Sequence, residues 1–177
     1  MTKLVLGHTG QLAPAVLAAA RDLLEHVFEG ELTDHDWEHC LGGLHALVWE
    51  EAELIGHASL IQRRLVHNGR ALRTGYFEGV GVRADIRRRG HGAAMMAALE
   101  QVARGAYELG ALGATDEAAA FYAGRGWRCW QGATAALTPA GIVRTEEEDG
   151  CIYVLPMSAE LDINGELSCD WRDGDVW

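Results

Sequence analysis

The chain has 177 residues, a formal net charge of −11 and 49% hydrophobic side chains, enough for a buried core in one α/β domain. No apolar run reaches bilayer length, and no basic-then-apolar leader opens the chain, so a cytoplasmic protein with no membrane partner is expected. The acidic excess disfavours nucleic acid as a partner. Cys40, Cys129, Cys151 and Cys169 are scattered without a CxxC pair, which suits a reducing compartment, and His35 and His39 lack a third ligand at metal spacing, so no metal is expected.

Taken in chain order, Gln11 to Val27 has the Leu, Val and Ala spacing of a helix. Thr33 caps a second, short helix, with Asp36 three residues on, and Gly42-Gly43 stops it. Leu44 to Trp49 and Leu54 to Leu65 alternate like strands. Asn68-Gly69 is a two-residue type I′ hairpin turn that returns the chain as Ala71 to Val82. A long helix is expected from Ala93 to about Leu109, then a short strand at Ala111 to Gly113. A helix follows from Asp116 to about Ala123, ended by Gly124 or Gly126. Strands near Trp127 to Trp130 and Cys151 to Leu155 complete the sheet. The predicted fold class is α/β (α+β): a mixed central sheet with helices on both faces, forming a single domain over residues 1–177.

The most informative segment runs from Phe77-Glu78-Gly79-Val80-Gly81-Val82 into Arg87-Arg88-Arg89-Gly90-His91-Gly92. A β-prone stretch meets a basic, glycine-bearing turn that opens a helix. A helix N-terminus offers unsatisfied N–H groups and partial positive charge, so it attracts phosphate. Gly90 and Gly92 let an anion approach the backbone, while Arg87, Arg88 and Arg89 add forked donors. No Gly-Lys-Ser/Thr follows, so this is not a P-loop, and the glycine spacing is not that of a dinucleotide fingerprint. Eight of the fifteen basic residues lie between Arg63 and Arg89, while Glu146 to Trp177 holds ten acids against Arg172 alone. The middle of the chain suits an anion. Its end suits a cation, or else is a solvated acidic tail, although Trp171 and Trp177 are unusual in such a tail.

The spacing Arg87-x-x-Gly90-x-Gly92 resembles the coenzyme-A signature of the GCN5-related N-acetyltransferase superfamily. Ala119-Ala120-Phe121-Tyr122 followed by Gly126-Trp127 is similar to the helix in which that family aims a tyrosine at the coenzyme sulfur. Asp36-Trp37-Glu38-His39, His45-Ala46-Leu47, Ile61-Gln62-Arg63-Arg64-Leu65, Glu78-Gly79-Val80, Arg104-Gly105-Ala106-Tyr107 and the ending from Cys169 to Trp177 look like the aminoglycoside 2′-N-acetyltransferases. The resemblance implies acetyl-CoA as cosubstrate, held by Val80, Val82, Arg87, Arg88, Arg89, Gly90, His91 and Gly92. It implies a cationic aminoglycoside held by Asp36, Glu78, Gly79, Glu148, Asp175 and the Trp177 terminal carboxylate, with residues 158–177 folding over the substrate. It also implies a homodimer.

In the chemistry so implied, an amine attacks the thioester in a ternary complex and an oxyanion forms. A backbone N–H in a bulge between Gly79 and Val82 would hold that oxyanion. Glu78 is the candidate base, acting through water because a carboxylate of pKa about 4.3 matches an ammonium poorly, or it only binds the cation. Tyr122 is the candidate proton donor to the departing thiolate, or else a core tyrosine. Two other readings stay open: an acetyltransferase for a different cationic amine, and a non-catalytic acyl-CoA-binding module.

Overall fold

The computed structural model describes residues 1–177, which resolve into two compact units. The first comprises Met1–Ile61 and Phe77–Val102, the second Gln62–Tyr76 and Ala103–Trp177. The chain passes between them inside two long strands, β3 (Glu53–His67) and β4 (Arg70–Val82), and inside helix α3 (His91–Ala106).

In the first unit, strand β1 (Thr2–His8) pairs antiparallel with β2 (Leu44–Glu50), which pairs antiparallel with β3. Helix α1 (Pro14–Val27) covers this meander. Pro14 opens it at a position where the missing N–H costs nothing. Its Ala20 and Leu23 bury against Leu47 of β2 and Leu54 of β3, with Val16, Val27 and Trp49 packed around them. Each such leucine contributes about 1.5–3 kcal/mol. Helix α2 (Asp34–His39) carries the expected cap: Thr33 Oγ1 accepts from Asp36 N–H at 3.1 Å, and Asp36 Oδ2 accepts from Thr33 N–H at 2.8 Å.

The second unit has a mixed sheet. Strand β5 (Leu109–Gly113) is parallel to β4 and antiparallel to β9 (Ile152–Pro156), which pairs with β6 (Arg128–Cys129). On the other side of the β3–β4 hairpin, β10 (Leu167–Cys169) lies antiparallel to β3 and parallel to β7 (Thr134–Thr138). Strand β8 (Gly141–Arg144) closes that edge against β7. The core here joins Leu65, Leu72, Tyr76, Leu109, Trp130, Val154, Leu167 and Trp177. Helix α4 (Asp116–Ala123) has the bounds that the sequence predicts.

Asn68 and Gly69 both take positive φ, at 50° and 73°, as a type I′ turn requires. Four strands, β1, β7, β8 and β10, are absent from the sequence-based expectation. The long helix also differs, beginning at His91 and ending at Ala106. Its end is set by tertiary bonds: Glu108 N–H donates to the Arg73 carbonyl at 2.9 Å, and the Glu108 carboxylate accepts from Arg73 N–H at 2.9 Å. Those bonds pull the chain into β5 at Leu109.

Candidate active site

Residues Glu78 to Val82 lie on β4, where the strand departs from regular geometry. Gly79 has φ +53°, a conformation that costs L side chains energy. A Cβ there would also come within 2.7 Å of Cys40 Sγ and 3.0 Å of Leu24 Cδ1. Glycine is therefore required twice over, once by dihedral and once by space. The Glu78 carbonyl accepts from Ser59 Oγ at 3.3 Å and the Gly79 carbonyl accepts from His57 Nδ1 at 2.8 Å. Successive carbonyls of a regular strand point to opposite edges, yet these two are both held by side chains on one face of β3. The strand is thus irregular at Glu78–Gly79, and Glu78 itself is half-buried.

Beyond Val82 the chain makes a short 3-10 turn, Ala84–Ile86, anchored by buried Ile86. Arg83 is occupied on this side of the turn, with Glu53 at 2.6 Å and Asp85 at 2.7 Å. Arg87 Nε donates back to the Val82 carbonyl at 3.2 Å. Arg88 at φ 63° and Gly90 at φ 89° then turn the chain into α3, whose first bond runs from Ala94 N–H to the Gly90 carbonyl at 3.0 Å. His91, Gly92 and Ala93 therefore form the first turn, where N–H groups have no partner within the helix. A Cβ on Gly90 would meet nothing within 4 Å. The turn is open, basic and rich in N–H donors, and it fits a pyrophosphate.

Asp36 belongs to the same unit, at the N-terminus of α2. Its Oδ2 is used by the capping box, accepting also from Thr33 Oγ1 at 2.8 Å. The far end of α2 reaches Gly79 through Cys40, whose thiol donates to the Asp36 carbonyl at 3.4 Å.

In the second unit Tyr122 is buried on α4, ringed by Phe121, Trp127 and Tyr153 with ring centroids at 5.2, 6.0 and 6.2 Å. Burial pushes its phenol up to about 12, so the group keeps its proton near neutral pH. Glu148 lies half-buried on the 3-10 turn Glu146–Glu148. Burial raises its pKa, and the charges of Asp175 and Glu147 raise it further. Glu148 thus feels the charge of Asp175, and a cation held beside it would relieve that repulsion. Asp175 is exposed, its Oδ1 accepting from Trp177 N–H at 3.0 Å.

The acidic ending is folded. Trp177 is 4% exposed, and its indole N–H donates to Thr145 Oγ1 at 2.9 Å. Its main-chain oxygen accepts from Arg172 Nη2. Buried Arg63 donates from Nε to the Asp170 carboxylate at 2.8 Å, and from Nη2 to the Asp170 and Val176 carbonyls at 3.0 and 2.7 Å. Its guanidinium stacks 4.7 Å from the centroid of Tyr76. Arg63 is thus a clamp on the tail, a role that its basic surroundings in the sequence obscure. His57 and Ser59 are likewise unassigned from sequence; the available signal is two polar residues at alternate positions of the otherwise apolar run 54–61.

Comparison with known proteins agrees with these features. The family model of the acetyltransferase (GNAT) domain matches residues 11–130. An aminoglycoside 2′-N-acetyltransferase of Mycolicibacterium fortuitum is 50% identical over 176 residues, covering 97% of this chain and 90% of its own. Among solved structures, an acyl-CoA N-acyltransferase from Pseudomonas aeruginosa has a TM-score of 0.62 at 16% identity, covering 87% of this chain and 99% of that one. Escherichia coli ElaA has a TM-score of 0.61 at 18% identity, again covering 87% of this chain and 99% of its own. Those two likenesses concern the fold. With the mixed α+β sheet, the basic helix-opening turn and the half-identical relative together, the chain belongs to the GNAT acetyltransferases and, within them, to the aminoglycoside 2′-N-acetyltransferase family.

Proposed function

We propose that this protein transfers the acetyl group of acetyl-CoA to the 2′-amine of an aminoglycoside, directly and within a ternary complex. The observation that carries this reading is the 50% identity, across nearly the whole chain, to the M. fortuitum aminoglycoside 2′-N-acetyltransferase. The turn from Arg87 to Gly92 supports acetyl-CoA binding, with the first N–H groups of α3 and the Arg87, Arg88 and Arg89 side chains on the pyrophosphate. Val80 and Val82 supply backbone beside the thioester arm.

Acetyl-CoA supplies an activated carbonyl. Glu78 draws a proton from the substrate ammonium through water, and an N–H of the Gly79–Val82 stretch holds the oxyanion. Tyr122 offers its hydrogen to the sulfur. With its pKa at about 12 and a free thiol near 8.5, full transfer to a free thiolate is uphill by about 5 kcal/mol. The phenol therefore hydrogen-bonds, or passes its proton as the C–S bond breaks. Asp36, Glu78, Glu148 and Asp175 take the substrate's ammonium groups, and Trp177 holds the tail that carries Asp175. A homodimer in the cytoplasm goes with this reading.

Acetyl-CoA turnover against a panel of amines tests the proposal. Gentamicin and tobramycin, which carry a 2′-amine, should be acetylated at that amine. Kanamycin A, with a hydroxyl there, should not be modified at that position. Turnover confined to polyamines or peptide N-termini would transfer the reading to another cationic amine, and tight acetyl-CoA binding without turnover of any amine would reduce it to a binding module.

A further inference from the structure

Two fully buried histidines of the first unit form a continuous chain that the reaction as described does not use. Thr9 Oγ1 lies 2.8 Å from His45 Nε2, His45 Nδ1 lies 2.9 Å from His57 Nε2, and His57 Nδ1 lies 2.8 Å from the Gly79 carbonyl. The direction of every bond follows from its last member. A carbonyl only accepts, so His57 Nδ1 carries hydrogen. Neutral His57 must then accept at Nε2, so His45 carries hydrogen on Nδ1 and accepts at Nε2 from the Thr9 hydroxyl. Thr9 Oγ1 in turn accepts from Gly42 N–H at 2.9 Å. Burial holds both imidazoles down, at about 4, so both are neutral near pH 7.

A chain that ends on a carbonyl cannot hand a proton onward, so this is not a proton conduit. What it controls is a peptide plane. The backbone has no cis bonds, so fixing the Gly79 carbonyl fixes the Val80 N–H in the opposite direction. A hydrogen bond to the carbonyl also polarises that N–H and strengthens it as a donor. Ser59, two residues along the same face of β3, holds the preceding carbonyl of Glu78.

We propose that Thr9, His45 and His57 form a buried brace that orients and polarises the Gly79–Val80 peptide, so that Val80 N–H serves as the oxyanion donor. His57 and His45 are positioning residues, because they touch no reacting atom. The catalytic part of this inference rests on the acetyl-transfer reading; the bond directions and the peptide orientation do not.

The test combines nuclear magnetic resonance with kinetics on the full chain. Imidazole nitrogen spectra should show both histidines as the Nδ1–H tautomer near pH 7, and an Nε2–H tautomer at His57 overturns the brace. His57→Leu should move the Val80 amide proton upfield and lower kcat about ten- to hundredfold, with the acetyl-CoA KM within about twofold. His57→Asn, whose side-chain amide can still donate to Gly79, should recover most of both changes. Unchanged kcat in folded His57→Leu would overturn the positioning role, as would losses in both variants that track thermal stability alone. If His57→Leu does not fold, Thr9→Val removes the first donor from the far end of the chain. That variant should shift the Val80 amide the same way and lower kcat several-fold; no change in either defeats the brace. A wild-type protein that acetylates no aminoglycoside would defeat the functional reading, while tautomer and amide shift would still decide the brace.

Discussion

Single side chains at the site carry different chemistry according to burial. Tyr122, with its pKa near 12, is a donor throughout the physiological range. Tyr122→Phe should lower kcat by about a hundredfold while leaving both KM values within threefold, measured by thiol release. A loss confined to thermal stability would make Tyr122 a core residue only. His45 and His57 behave in the opposite sense. Their folded pKa values, about 4, lie below the ordinary 6.5, so they contribute stability that is present above about pH 6.5 and lost as pH falls through about 4. Each accounts for up to about 3 kcal/mol. Urea unfolding at pH 7.5 and pH 4.5 should show this fall, and His45→Gln/His57→Asn should flatten it; an unchanged slope would assign acid sensitivity elsewhere. Glu78 and Tyr122 stand out in the sequence as candidates because they lie in recognisable strings of neighbours. Thr9 does not, since only the fold brings it to His45.

Among the elements, those with local chemistry were legible and those completed by distant partners were not. Thr33 and Asp36 announce α2 within four residues, and Asn68-Gly69 fixes the β3–β4 turn by dihedral preference alone. Strand β8 is exposed along its whole length, and β10 buries three residues only because β3 and β7 flank it. Neither pattern has a period to read. The turn before α3 shows a further distinction. Arg88 and Gly90 both hold positive φ, so a bulky residue at Gly90 would strain the backbone as well as fill the phosphate space. Arg88→Gly is the cleaner probe, because glycine accepts the positive φ of the turn while the guanidinium, with its charge and donors, is removed. It should raise the acetyl-CoA KM about three- to tenfold, more at low salt, with unfolding temperature unchanged or higher. An unmoved KM would take Arg88 out of the coenzyme site.

For the molecule as a whole, the acidic ending matters most. Composition alone allowed a solvated tail, but Trp177 is buried and Arg63 grips the carbonyls of Asp170 and Val176. Removing Val176 and Trp177 would therefore disturb the core as well as the substrate, since truncating a buried tryptophan costs about 3–5 kcal/mol. Paired Glu148→Gln and Asp175→Asn keep the size of both side chains and an acceptor for Trp177 N–H. They should raise the aminoglycoside KM at least tenfold while leaving acetyl-CoA binding and unfolding temperature nearly unchanged. Equal affinity in this double variant would show that substrate charge is met by other carboxylates. Burial holds the Cys169 thiol up at about 11, and it donates to the Val176 carbonyl at 3.2 Å, which makes it a poor nucleophile near neutral pH.

The position of β10 has a consequence for how the protein is made. The β7–β8 hairpin joins the rest of its sheet only through the three residues Leu167–Cys169, whose partners Leu65 and Val66 lie about a hundred residues earlier. Until that short segment is available, residues 134–144 have no strand that joins them to the rest of the sheet, and β7 and the Leu65–Val66 stretch of β3 expose unpaired edges. The second unit closes like a zip drawn from its far end. Pairing across so long a loop is slow, so the nascent chain is most open to proteolysis and self-association in the interval just before Leu167 emerges.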